Sequence, residues 1–375
     1  MHLMCDSFLS PINIRYVSLL CLFVAGLDVR VQAEAIHRLQ YDGLHREYLV
    51  YTPSTVEQRD LPLVMTLHGY SSTASGMAHY YGLARHAEQH RYILVIPQSS
   101  TFPANDSDEH VTSWNDLAAN VEQDPDVPHC LPDHRVYPAP PANCGEMSRC
   151  AWTACADDSG FLQQVLDEVL ARHRVDSSRI YLLGISNGGM MAMRLACDKP
   201  WRFSAVASVI AQLAPGHACG PGSKLPLLHL IGGRDDTVRA DGLPGSDGYI
   251  YSSAAETATT WARSLGCAAQ AKPWQTKLSR SMGLECSAYK DCPEISTGVI
   301  SCADSKEGHD WPGQRAGPSA SCVTAIQKDS GLKRPTCSGE QYTVRDQGMN
   351  LVWEFFNANR RTTSVTRPLT LRSGQ

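Results

Sequence analysis

Apolar positions along this chain fall into short continuous runs that alternate with helically spaced stripes. Leu61–Leu67 and the runs at 92–97, 179–183, 203–210 and 227–231 have the length of strands. Their apolar character is continuous rather than alternating, which predicts strands covered on both faces. Between them lie helical patterns: one ending near residue 88, one at 157–173, one resuming at Gly188, and one at 254–265. The second carries Phe161, Leu162, Val165, Leu166, Val169 and Leu170 at helical spacing. Gln347–Ala358 reads as a final amphipathic helix, and 36–53 as two short strands around a turn at Asp42 and Gly43. Residues 272–302 alternate polar and apolar, predicting late strands tied by Cys286, Cys292 and Cys302. Strands interleaved with helices predict an α/β fold: a mostly parallel central sheet with helices on both faces.

Two regions break the pattern. Residues 99–155 are rich in Pro, Asp, Asn and Cys, with little periodicity. A stretch this long without regular structure reads as a functional insertion pinned by disulfides, near a binding face. At the N-terminus Arg15 precedes the apolar run 16–27, and Val31-Gln32-Ala33 or Ala33-Glu34-Ala35 offers small residues for cleavage, so 1–33 is predicted to be a signal peptide. The run is too short to span a bilayer, and no later stretch reads as transmembrane. That leaves 36–358 as one catalytic domain with its insertion at 99–155, and 362–375 as a polar tail predicted to be disordered.

Cysteine usage agrees with export. Two of the 14 cysteines, Cys5 and Cys21, fall in the leader, and the remaining twelve can form up to six bridges. A zinc site is the rival use, but no pair has CxxC spacing. At 375 residues and 43% hydrophobic content the chain can bury a substantial core, and a net charge of -5 gives no basic signature for nucleic acid.

The chemistry starts at Gly184-Ile185-Ser186-Asn187-Gly188, where a predicted strand ends and a helix begins. This is the nucleophile-elbow pattern, in which a tight turn exposes a serine at a helix N-terminus. A serine hydroxyl needs a base to take its proton and a third group to hold that base. In the chain order serine, acid, histidine, only His309 of the 14 histidines lies beyond His229 and beyond the candidate acids. Those acids are Asp235 and Asp236, just past the strand at 227–231; spacing from Gly232 and Val238 favours Asp235. The N–H of Asn187 and of Tyr70, in the loop after the Leu61–Leu67 strand, are the candidate oxyanion donors. His68 precedes the serine and reads as structural, while Asp157 and Asp158 read as helix caps. Trp114 and Trp311 are candidates for an aromatic substrate-binding platform. Such a site calls for no metal or organic cofactor.

Several of these segments together resemble the secreted polyhydroxybutyrate depolymerase/feruloyl esterase-like family of α/β-hydrolases. They are Leu67-His68-Gly69, Asp157-Asp158-x-Gly160-Phe161, Ser186-Asn187-Gly188-Gly189-Met190-Met191, Gly232-x-x-Asp235-x-x-Val238 and Gly308-His309-x-Trp311-Pro312-Gly313, in order between about 40 and 358. The resemblance implies Ser186 as nucleophile, Asp235 as acid and His309 as base. It also implies a secreted serine esterase acting on feruloyl-type or hydroxyalkanoate esters, with a small-molecule or polymeric ester as its expected partner. The chain departs from the family at Ile231, where a histidine is usual, and in the length of the insertion. A peptidase on the same fold and an inactive hydrolase-fold binding protein are the alternative readings.

Overall fold

The computed structural model describes residues 35–116, 156–312 and 347–361, apart from 55–58, 81, 104–109, 216, 218, 221–223, 247, 294 and 296, together with the backbone of 321–326 and 333–338. The expected signal segment, most of the insertion and the C-terminal tail lie outside the described residues. Val31–Gln375 form one compact unit.

The chain opens with β1 (Ala35–Tyr41) and β2 (Leu44–Tyr51), joined by a two-residue turn in which Asp42 and Gly43 have φ of 50° and 74°. Both central residues at positive φ match the right-handed twist of a hairpin, and Gly carries no Cβ penalty there. Next come β3 (Leu61–Leu67), α1 (Ala74–Tyr80), α2 (Leu83–His90), β4 (Ile93–Pro97) and the paired strands β5 (Ser100–Pro103) and β6 (His110–Ser113). The central part has α3 (Asp158–Arg172), β7 (Val175–Ile185), α4 (Asn187–Asp198), β8 (Ala205–Val209) and β9 (Leu227–Gly232). The last third has α5 (Ala254–Ser264), β10 (Lys272–Pro273), α6 (Lys277–Met282), β11 (Glu285–Tyr289) and β12 (Val299–Asp304), then β13 (Ser321–Ile326), β14 (Lys333–Ser338) and α7 (Gln347–Ala358).

Ten strands form one sheet in the order β1-β2-β4-β3-β7-β8-β9-β12-β11-β10. The middle run from β4 to β12 is parallel, and the pairs at both ends are antiparallel. Successive residues of one strand feed different cores. Leu63, Met65 and Leu182 pack on one face with Phe161, Met191 and Trp261 from α3, α4 and α5. Val64, Tyr181 and Leu183 pack on the other with Met77, Leu83 and Phe356 from α1, α2 and α7. This two-sided burial is why the strands read as unbroken apolar runs.

Two features differ from expectation. The start of the insertion is not featureless, because β5 and β6 pair from Ser100↔Ser113 to Pro103↔His110. Within 272–302 the short helix α6 interrupts the strands, opened by a capping box at Thr276. Disulfides join Cys197 to Cys219, Cys267 to Cys292, and Cys286 to Cys302; the last bridges directly opposed residues of β11 and β12. Among the described residues no helix is long and apolar enough to cross a membrane.

Candidate active site

Ser186 is the single residue between β7 and α4, and its backbone lies at φ 53° and ψ −127°. Such a conformation costs an L-residue on the order of 1–3 kcal/mol and persists only where the surroundings enforce it. The enforcement is close packing of backbone. A Cβ at Gly184 would sit 2.0 Å from the Gly188 carbonyl oxygen, and one at Gly188 would sit 2.3 Å from the carbonyl oxygens of both Leu67 and His68. Ser186 N–H donates to Val209 O at 2.9 Å, pinning the turn to the end of β8.

Three side chains from separate loops converge at this turn. His309, in the loop after β12, has Nε2 3.0 Å from Ser186 Oγ and Nδ1 2.7 Å from Asp235 Oδ2. Asp235 stands just past the end of β9, and its side chain is buried, only 1% exposed. Its other oxygen, Oδ1, accepts the N–H groups of Thr237 (2.9 Å) and Val238 (2.8 Å). With three donors the carboxylate fixes Nδ1 as the protonated nitrogen, leaving the Nε2 lone pair toward the serine. Asp236 is exposed; it receives the Thr237 hydroxyl at 3.5 Å and does not face the histidine. Further along the histidine loop, Glu307 has its pKa raised by partial burial and by the nearby charges of Asp304 and Asp310.

The loop after β3 lies against the serine. Atoms of Ser186 and Ile185 lie 3.4 Å from where a Gly69 Cβ would be, so the Gly69-Tyr70 backbone is beside Ser186. Asn187 begins α4, and the first N–H groups of a helix have no intrahelical acceptor. His68 is fully buried, and burial holds its pKa down to about 4. Its Nε2 accepts Ser99 N–H at 3.1 Å, which places the proton on Nδ1, donating to Gly69 O at 2.8 Å. A neutral ring that shapes the loop is therefore its place in the structure.

The tryptophans correct an expectation. Trp114 is 0% exposed and Trp311 2%, so neither offers a face to a substrate. Trp114 is turned inward by its Nε1, which donates to His68 O at 2.8 Å. Trp311 packs onto the start of α7 at Gly348. The pair of aspartates divides its work: Asp157 caps α3 by accepting Gly160 N–H at 3.0 Å, whereas Asp158 is fully buried and pairs with Arg46 at 2.6 Å. Sequence reasoning missed Arg46 and Gln98, which line up behind His68. Arg46 donates to Gln98 O, Gln98 contacts His68 Nε2 at 3.1 Å, and the guanidinium sits 3.8 Å over the Phe161 ring. Arg46 sits between His45 and Glu47 in the polar half of β2, so nothing in the local pattern signalled its burial.

A parallel sheet with helices on both faces, a strained serine between a central strand and its helix, and acid and histidine on later strand ends fix the architecture. The chain has the α/β-hydrolase fold. Residues 156–213, which carry α3, β7, the serine turn and α4, match the model of the prolyl oligopeptidase family. Among curated proteins, the chain is 32% identical over 169 residues to a candidate esterase, NocK, of Nocardia uniformis subsp. tsuyamanensis, covering 42% of this chain and 49% of that protein. It is 27% identical over 152 residues to feruloyl esterase B of Piromyces equi, covering 36% of this chain and 26% of that one. The chain thus spans half or less of the length of these relatives. Among solved structures, an acetyl xylan esterase from Aspergillus awamori superposes with a TM-score of 0.47 at 15% identity, over 74% of this chain and 95% of that one.

Proposed function

We propose that this α/β-hydrolase is a secreted serine carboxylic ester hydrolase working through an acyl-enzyme. The observation that carries this reading is the continuous chain from Ser186 Oγ to His309 Nε2 (3.0 Å) and from His309 Nδ1 to Asp235 Oδ2 (2.7 Å). In this mechanism His309 takes the Ser186 proton as Oγ attacks the ester carbonyl. The N–H groups of Asn187 and Tyr70 hold the resulting oxyanion. The intermediate collapses as His309 gives its proton to the leaving alcohol. Water, deprotonated by His309, then attacks the acyl-serine, and the acid leaves with Oγ reprotonated. Asp235 orients the imidazole and stabilises its charged form without itself taking the proton.

Feruloyl-type esters and 3-hydroxybutyrate-type esters are the two acyl classes to test, the first supported by the likeness to a feruloyl esterase. Three disulfides suit an oxidising, extracellular location. A peptidase is the second reading, favoured by the match of residues 156–213 to the prolyl oligopeptidase family. The assay sets p-nitrophenyl acetate, methyl ferulate, a 3-hydroxybutyrate oligomer and a prolyl p-nitroanilide side by side, with wild type and Ser186→Ala. Ester turnover and fluorophosphonate labelling that both vanish in Ser186→Ala are expected. Turnover of the anilide alone favours the peptidase, and folded wild type that neither turns over nor labels is an inactive binding protein.

A further inference from the structure

We propose that the segment Thr112 to Asp116 is a strap that sets the spacing of the two oxyanion donors, with the side chains of Asn187 and Trp114 as positioning residues. The inference rests on the esterase reading but concerns side chains that the triad chemistry does not use. The two donors come from parts of the chain with no covalent reason to stay in register: Tyr70 follows β3, and Asn187 starts α4. The strap is bonded to both.

Toward the Tyr70 loop it makes three hydrogen bonds. Ser71 N–H donates to Thr112 O at 2.8 Å, Thr112 Oγ1 donates to Ser72 O at 2.5 Å, and Trp114 Nε1 donates to His68 O at 2.8 Å. Ser71 is held at φ 54°, a left-handed conformation that a serine adopts only under such restraint. Toward α4 the bonds gather on one carboxamide. Asn187 Oδ1 accepts Trp114 N–H at 2.8 Å and the Ser113 hydroxyl at 3.4 Å. Asn187 Nδ2 donates to Trp114 O at 3.2 Å and to Asp116 Oδ2 at 3.0 Å. The amide of Asn187 thus meets the strap with both its acceptor and its donor end, while its own backbone N–H is the other half of the oxyanion site.

The strap is itself fixed to the body of the protein. Asn115 N–H donates to Asp158 Oδ2 at 2.8 Å, Asn115 Nδ2 donates to Ala156 O at 3.0 Å, and Arg194 donates to Asn115 O. Asp158 pairs with Arg46, which reaches Gln98 O, and Gln98 returns to His68. The bonds close into a ring around the oxyanion loop. Thr112, Ser113, Trp114, Asn187, His68 and Asp158 are each less than 1% exposed, so water does not compete for these groups. In a site where a misplacement of about 1 Å costs on the order of 100-fold, such a ring acts on rate rather than on substrate affinity.

The experiment compares wild type, Asn187→Ala and Trp114→Phe, each normalised to active sites by end-point fluorophosphonate titration. Trp114→Phe keeps an aromatic ring but deletes the N–H that reaches His68 O together with part of the buried ring volume, and it carries the test if Asn187→Ala does not fold. Expected for both is a kcat on p-nitrophenyl acetate lowered by about 10- to 100-fold, with KM within about twofold. A trifluoromethyl ketone that forms the tetrahedral adduct on the serine is expected to bind more weakly by the same factor. The pH midpoint of kcat/KM stays in place, since neither substitution touches His309 or Asp235. A normalised kcat and ketone affinity within twofold of wild type in folded Trp114→Phe overturns the proposal, as does a loss confined to the fraction of active protein. Wild type without ester turnover or labelling instead sinks the esterase reading itself, and this proposal with it.

Discussion

Asp235 and Asp236 are adjacent in the chain and opposite in their surroundings. Asp235 is buried and receives the N–H groups of Thr237 and Val238 together with His309 Nδ1, whereas Asp236 faces solvent. Replacing Asp235 by Asn keeps the shape but allows the new amide to donate to Nδ1. The imidazole then holds its proton on Nε2, where it cannot accept one from Ser186. We expect Asp235→Asn to fold and to lower kcat by about 10³- to 10⁴-fold at pH 7. Asp236→Asn should stay within about twofold. Equal losses in the two variants, measured on p-nitrophenyl acetate, would assign the acid wrongly.

Among elements, the contact between β2 and α3 matters beyond its packing. Arg46 and Asp158 have side chains 3% and 0% exposed, and their 2.6 Å bond joins the hairpin at the sheet edge to the start of the helix. Removing one member of a buried pair leaves an uncompensated charge, at about 3–5 kcal/mol. Arg46→Met should therefore lose roughly 3 kcal/mol in urea unfolding, and Arg46→Met with Asp158→Leu should recover part of it. A single-variant loss below about 1 kcal/mol would mean that the Asn115 N–H suffices to hold the Asp158 carboxylate without the pair. The legibility of the site follows the same division between local and long-range forces. The buried strands could be read because two-sided cover leaves a continuous apolar run, and the order of serine, acid and histidine left His309 alone in its position. The helix α6 could not, because a stripe needs more than the 6 residues it has. Nor could the inward turn of Trp114: its partner His68 lies 46 residues earlier, and nothing local separates a buried aromatic from an exposed one in a polar segment.

For the molecule as a whole, three histidines enclosed in the fold set its response to acid. His229, in mid-sheet on β9, donates from Nε2 to Ala211 O at 2.8 Å, and burial lowers its pKa to about 4. His68 is held at about 4 by burial, and His86, between Tyr92 and Asn350, at about 3, again chiefly by burial. In the unfolded chain each would titrate near 6.5. Between that value and the folded one the unfolded state binds more protons, so stability is complete above about pH 6.5 and declines as pH falls toward 4. Each fully shifted histidine contributes a slope of about 1.4 kcal/mol per pH unit in that window. Asp157 and Asp176 lie below the ordinary carboxylate range: burial pushes each upward but is outweighed by hydrogen bonds from Tyr41 and Gly160, and from Ser178 and Arg179. They add a loss of the same sign, but only as pH falls through the carboxylate range. The urea midpoint should therefore drop steadily from pH 6.5 to 4.5, before carboxylates contribute most. His229→Gln, which can still donate to Ala211 O but does not titrate, should flatten that slope by up to one group's share. An unchanged slope in the variant would place the acid sensitivity elsewhere in the fold.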